Sequence, residues 1–237
     1  MVNPTYKKRL NKAFEKLEQI GVSLSNNVML TLAVLVDYLQ LNYQFSEIPG
    51  HEMEHVFRVL EIGLVICEHV NCDKLRFSIC ALLHDIARMI EPRIKNHAEK
   101  SAVISEKLLI EIPTIRKLLS LDDLEQIKNC IAEHSYSAGK KPSSMESKVL
   151  QDADRLDALG AIGIARVFAY GGYLGRPIYN PFEIMDRESS LGHFYDKILE
   201  LPEKMNTKIA KEIAKKRLKF VKKFIDNLLR EMNLEDF

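Results

Sequence analysis

The sequence predicts an all-α protein, and three observations carry that prediction. Apolar residues recur every three or four positions along most of the chain, the spacing that lines one face of a helix. No segment alternates apolar and polar residues convincingly with period two, as a half-buried strand would. Only one long segment, "YGGYLGRPIYNPFEIMDRESS", resists a helical reading altogether.

The elements follow in order. "KKRLNKAFEKLEQIGV" places Leu10, Phe14, Leu17 and Ile20 on one stripe, and Gly21 stops it. "NNVMLTLAVLVDYLQLNY" is the next helix, with Asn26 or Asn27 as its N-cap. After "SEIPG" a helix is expected from His51 to about His69, and Asp73 is placed to cap another that carries Leu75, Ile79, Leu82 and Leu83. Further helices are expected over 97–110, 121–135, 144–170, 189–200 and 203–233. The last has Ile209, Ile213, Phe220, Phe224 and Leu228 as its apolar stripe and lysines elsewhere. Gly171, Gly172, Gly175, Pro177 and Pro181 make the resistant segment a loop of about twenty residues, a length usually reserved for functional loops. No repeat and no low-complexity linker divides the chain, so residues 1–237 read as one domain.

Composition removes several function classes. With 46% hydrophobic and 28% charged residues and a formal net charge of +1, there is no global case for nucleic acid or an anionic membrane. The lysines of the C-terminal helix read as a solvated face, so nucleic acid is not an expected partner. No apolar run approaches the roughly 20 residues of a membrane span. The polar, amphipathic start lacks the apolar centre of a signal peptide, so the expected compartment is the cytoplasm. Cys67, Cys72, Cys80 and Cys130 form no C-x-x-C pair and read as reduced thiols acting as small hydrophobes.

The chemistry lies in four clusters of His and Asp. "PGHEMEHVFRV" contains His51-Glu52-Met53-Glu54-His55, a literal H-E-x-x-H, the zinc-protease signature. The extended form of that signature wants Gly at 58 and His at 61, where this chain has Arg58 and Glu61. "ALLHDIARM" puts His84 and Asp85 at the end of an apolar run, where a charge has to be paired or metal-bound. "VLQDADRLDALG" sets Asp152, Asp154 and Asp157 in an otherwise apolar helix, and Arg155 can answer only one or two of them. Residues two apart point about 200° from each other on a helix, so Asp152 and Asp154 do not readily serve one ion. Two imidazoles and two carboxylates suit manganese, iron, cobalt, nickel or magnesium better than a closed structural zinc.

At this point the chain resembles a known family. The order H…HD…D, with "HVFRV" around the first histidine and "DADRLDALGAIG" around the last aspartate, is similar to the HD-domain metal-dependent phosphohydrolases. It is nearest to a bacterial and archaeal subfamily with the run "ILQDADRLDALGAIGIAR". Gly171-Gly172 and "HFYDKIL" from His193 extend the likeness over most of 48–232, leaving about 45 residues as an N-terminal helical extension. The resemblance implies an HD-domain helical bundle with the Gly/Pro loop near the active site, as a lid or base-recognition element. It implies His55, His84, Asp85 and Asp154 as metal ligands, with Asp157 supporting Asp154. The cofactor implied is a divalent ion, manganese before magnesium, iron, cobalt or nickel, bound singly or as a pair. His97 and His134 are implied as active-site residues that contact substrate or hold the second ion. Relatives carry Asp where this chain has Glu52, and that substitution creates the protease look-alike.

The implied reaction is hydrolysis of a phosphoester or phosphoanhydride of a nucleotide by a metal-activated water, as a triphosphate pyrophosphohydrolase or a monophosphate phosphohydrolase. Asp85 has a second oxygen to bridge to a second ion or to take the water's proton. Arg58 and Arg155 can form a fork to the substrate's phosphates or to one of the aspartates, Lys197 and Arg176 are candidates for phosphate contacts, and His51 faces the substrate or supports a ligand. The rival readings are a nucleotide-binding regulatory HD module without turnover, and a helical scaffold whose His and Asp residues form a polar network. Homo-oligomerisation stays open.

Overall fold

Helical periodicity is realised throughout. The protein, described by a computed structural model over residues 5–45, 48–50, 52–135 and 139–235, is 72% helical, with no strand among the described residues. The chain divides into two compact units, Met1–Asp154 and Arg155–Phe237.

The first unit opens with α1 (Thr5–Gln19) and α2 (Asn26–Asn42). Leu10, Ala13 and Leu17 form the buried stripe of α1, whereas Ile20 is 58% exposed. The expected stripe was therefore rotated: α1 ends at Gln19, and Ile20 sits in the turn before Gly21, which has φ 83°. Ser25, not Asn26 or Asn27, caps α2, its side chain accepting from the Val28 amide at 3.4 Å. α1 is pinned to α3 (Met53–Cys67) by charge. Glu61, 4% exposed, accepts from Arg9 Nη1 at 2.6 Å and from Lys16 Nζ, and Arg9 Nε reaches Glu54 at 2.8 Å. A carboxylate that deep would destabilise the fold by several kcal/mol if its cations were removed. α1 and α2 are thus packed as part of this unit.

α3 starts at Met53, two residues after the expected His51, because Gly50 turns the chain with φ 85° before the helix begins. α4 (Lys74–Leu83) is capped as expected by Asp73, whose carboxylate accepts from the Leu75 and Arg76 amides at 2.9 and 3.0 Å. α3 and α4 approach closely at Gly63, where an added Cβ would lie 1.9 Å from the Phe77 ring. That contact sets the separation of the two helices that carry His55 and His84. The short α5 (Ile86–Ile90), α6 (His97–Glu111), α7 (Pro113–Leu118) and α8 (Leu121–Glu133) follow, with α6 against both α5 and α8. α5 and α7 are single turns or little more, too short for periodicity to reveal.

The helix expected over 144–170 is two: α9 (Met145–Asp157) and α10 (Gly160–Tyr173). Gly160 is left-handed, with φ 74°, and Arg217 Nη1 donates to the Leu156 carbonyl at 2.5 Å, satisfying an end that a continuous helix would not have. In the second unit α10 runs through Gly171 and Gly172, so the pair expected to turn lies inside a helix. An added Cβ at Gly171 would lie 2.1 Å from Ser190 Oγ, which explains the glycine by close approach. The loop proper is therefore 174–189, and Asn180 and Asp186 order it: Asn180 Nδ2 donates to Asp186 Oδ2 at 2.8 Å. Then come α11 (Ser190–Asp196), a 3-10 helix (Ile198–Lys204) and α12 (Lys208–Met232). Ala210, Ala214, Val221 and Ile225 are the buried face of α12, while Phe220 is 52% exposed. The larger residues of the expected stripe flank this face, because small side chains let the helix pack closely. Phe168, Phe194 and Phe224 form an aromatic cluster with ring centroids 5.8–6.3 Å apart. Among the described residues no helix is long and apolar enough to cross a membrane.

Candidate metal centre

Helix ends of the first unit deliver most of the candidate ligands. His55 projects from α3, His84 ends α4, and Asp85 leads into α5 with φ −106° and ψ 14°. His97 opens α6 behind a left-handed Asn96, and His134 ends α8. Asp154 comes from α9. His55, His84, Asp85, His97 and His134 are all less than a tenth exposed, and Asp154 keeps 26% of its side-chain surface open.

Backbone carbonyls set the tautomers. His84 Nδ1 lies 2.8 Å from the Ala81 carbonyl and His134 Nδ1 lies 2.7 Å from that of Ile131. A carbonyl only accepts, so each Nδ1 carries the proton and each Nε2 presents a lone pair. Those lone pairs point at other donors. His84 Nε2 is 3.4 Å from His55 Nε2, and His55 Nε2 is 3.4 Å from Asp154 Oδ1. Asp85 lies between the histidines: Oδ2 is 4.0 Å from His55 Nε2, while Oδ1 is 3.6 Å from His97 Nε2 and 3.7 Å from His134 Nε2. The donor atoms of His55, His84 and Asp154 lie within 4.8 Å of one another, and so do those of His84, Asp85 and His134.

Titration fits a cation's surroundings. Burial pushes His84 down to about 3, against the opposing pull of Asp85, so its imidazole is neutral at physiological pH, as a ligand must be. Burial alone would raise the Asp154 carboxyl, but the hydrogen bond from His55 opposes it most, and the carboxyl is held well below the usual carboxylate range. The neutral His84 imidazole, its Nε2 lone pair turned inward toward an ionised carboxylate, is what a divalent ion needs. The residues fit the group.

Other expected participants have partners of their own. His51 is outside the described residues. Arg58 Nη2 stands 4.0 Å from Glu52 Oε1. Asp152 belongs to neither donor group, in keeping with its opposite projection on α9. Asp157 accepts from Arg166 Nη1 at 2.8 Å, a partner the sequence reading did not assign. In the second unit Arg155 Nη1 donates to the Lys204 carbonyl at 2.5 Å. Burial, then the charges of Lys197 and Arg176, push His193 down to about 4. Two unassigned residues support the centre. Gln151 Nε2 donates to the Glu133 carbonyl at 2.7 Å, immediately before His134. Arg88 Nη2 lies 2.9 Å from His97 Nδ1. The four thiols are free, and Cys72 alone is partly exposed.

Known proteins resemble this chain. The HD domain profile matches residues 53–159, and the YpgQ protein of Bacillus subtilis strain 168 is 31% identical over 191 residues, 79% of this chain and 87% of YpgQ. The chain belongs to the HD-domain superfamily. Among solved HD-type structures, that of YpgQ in complex with ADP is similar at 30% identity and TM-score 0.59, covering 78% of this chain and 91% of YpgQ. An HD-superfamily hydrolase from Bacillus thuringiensis is 32% identical with TM-score 0.61, covering 93% of this chain and 98% of that one. The HD profile takes in His55, His84, Asp85, His97, His134 and Asp154 together.

Proposed function

We propose that this protein is a metal-dependent phosphohydrolase that hydrolyses a phosphoanhydride or phosphoester bond of a nucleotide. His55, His84, Asp85 and Asp154 would hold a divalent ion, manganese before magnesium, iron, cobalt or nickel. The observation that carries the reading is the convergence of His84 Nε2, His55 Nε2 and Asp154 Oδ1 within 4.8 Å. When bound, the ion supplies Lewis acidity, acidifying a water and neutralising phosphate oxygens. The side chains do the rest. His84 and His134 keep their Nε2 atoms aimed through the Nδ1–H bonds to the backbone. Asp154, held ionised, balances the added positive charge. Asp85 Oδ1, on the His97 and His134 side, takes the proton of the attacking water. The water oxygen bonds to phosphorus as the bond to the leaving oxygen breaks, and the leaving oxygen takes up a proton passed on through His97 or His134. Arg58, one turn after His55 on α3, is retained as a phosphate contact.

Nucleotide specificity rests on two supports: the ADP held by the similar YpgQ structure, and the QDADRLDALGAIG run, by which we also assign the chain to the corresponding subfamily. The test is a panel of nucleoside and deoxynucleoside mono- and triphosphates with manganese-loaded protein, run beside Asp85→Ala, with the product identified. Pyrophosphate from triphosphates, absent in the variant, supports a pyrophosphohydrolase. Inorganic phosphate from monophosphates supports a nucleotidase at the same centre. Equal rates in both proteins would remove the catalytic reading and put a nucleotide-binding module in first place.

A further inference from the structure

His97 differs from the other histidines of the cluster in what stands against its ring. His84 and His134 give their Nδ1 protons to backbone carbonyls and turn Nε2 inward. His97 instead faces a cation of the protein itself. Arg88 Nη2 lies 2.9 Å from His97 Nδ1 and 3.3 Å from Nε2, and Arg88 Nη1 lies 3.6 Å from Asp85 Oδ2. A guanidinium stays protonated and can only donate. Being close to both ring nitrogens at once, Nη2 lies over the face of the His97 ring, and its positive charge sits beside whichever nitrogen turns to the centre.

From this geometry we infer that Arg88 stands in for a second metal ion: the centre takes one divalent ion, and the guanidinium supplies the other positive charge that faces a phosphate oxyanion. Two divalent ions around Asp85 would need His97 as a ligand on the second side, together with His134. An ion there would meet a fixed positive charge at contact distance in a buried site, where charges are poorly screened. Arg88 is held on both sides, by the His97 ring and by the Asp85 carboxylate, and its side chain is 24% exposed, enough to reach a phosphate from the rim. A fork of N–H donors suits that oxyanion. Arg88 thus determines the metal count and positions charge without ligating the ion. The inference rests on the metal reading above.

The test is a manganese count on the full chain, stripped with a chelator, reloaded and freed of excess ion, with the electron paramagnetic resonance spectrum recorded. Wild type and Arg88→Lys are expected to hold one ion per chain, with an isolated six-line signal. Arg88→Met, of similar length but uncharged, is expected to approach two ions per chain, its signal per manganese weakened by coupling between neighbouring ions. Should Arg88→Met not fold by circular dichroism, Arg88→Gln, which keeps N–H donors without the charge, carries the same expectation. Two ions in wild type, or one ion in a folded uncharged variant, would overturn the role of Arg88 and leave the metal centre standing. No stoichiometric ion in wild type would remove the metal reading itself.

Discussion

His84 and His193 are both pushed far toward the neutral form, to about 3 and about 4, and in both burial is the largest cause. Their neighbours have opposite sign. Around His84 stand other imidazoles and the carboxylates of Asp85 and Asp154, which would welcome a cation. Around His193, in the second unit, the charges of Lys197 and Arg176 add to the downward push, and only Asp196 opposes it. The same shift thus marks two chemically opposite places. A depressed histidine says that the imidazole is neutral, and its neighbours differ: carboxylates stand beside it in the first unit, and two cations beside it in the second.

The sharpest break of this contrast is His84→Ala. It removes the nitrogen shared by both donor groups, so stoichiometric manganese should be lost. Activity should fall by more than the roughly 10–100-fold seen when only a supporting partner of a ligand is removed. Metal analysis and initial rates measure both, and a variant that keeps its ion would sink the ligand assignment.

Next in size is pH. His84 is neutral in the fold to about 3, whereas an unfolded histidine takes up its proton near pH 6.5. Between these values the unfolded chain binds the additional proton, so stability is lost as pH falls, by about 1.4 kcal/mol per pH unit for this residue alone. His97, lowered to about 4 by burial and then by the Arg88 charge, adds in the same direction. Thermal melts of metal-free protein from pH 7 to pH 4 should show Tm falling, and a flat profile would contradict the neutral state of His84 and His97.

Lys197→Met and Arg176→Met probe the other side. Each should leave the manganese count unchanged while raising KM for a nucleotide, roughly tenfold for the loss of one phosphate contact worth about 1.4 kcal/mol. A change in metal content with KM unaltered would invert the comparison. The effect most confined to one support of the centre is expected from Gln151→Leu. It leaves the Glu133 and Lys140 carbonyls without a donor they now share and should cost about 1–3 kcal/mol in urea melts. His134 should lose some of its aim, while the His55–His84–Asp154 group still binds its ion.

The candidate ligands were legible because their chemistry conflicts with their surroundings. His84-Asp85 closes an apolar helix, and Asp154 interrupts another, so each demanded a partner before any fold was known. Helix existence was legible from spacing, and Asp73 from its capping position. The misreadings share one cause: helical spacing names a stripe but not its neighbour. Ala13 is buried and Ile20 exposed, because the turn at Gly21 ends α1 before Ile20 can join the packed face. Ala210 and Ala214, rather than Ile209 and Ile213, form the buried face of α12. Arg88 carried no signal in the chain, since nothing local ties it to His97, nine residues away.

By itself the sequence determined an all-helical chain and the identity of the candidate groups for a metal, because helical period and the cost of burying charge are local properties. Only the tertiary structure decided which helix ends meet, which imidazole nitrogen faces inward and where Arg88 places its charge. The meeting of helix ends depends on close approaches between residues far apart in the chain, such as Gly63 against Phe77, that no local pattern records; the Ala81 and Ile131 carbonyls lie only three residues before their histidines and set the tautomers because each helix ends there.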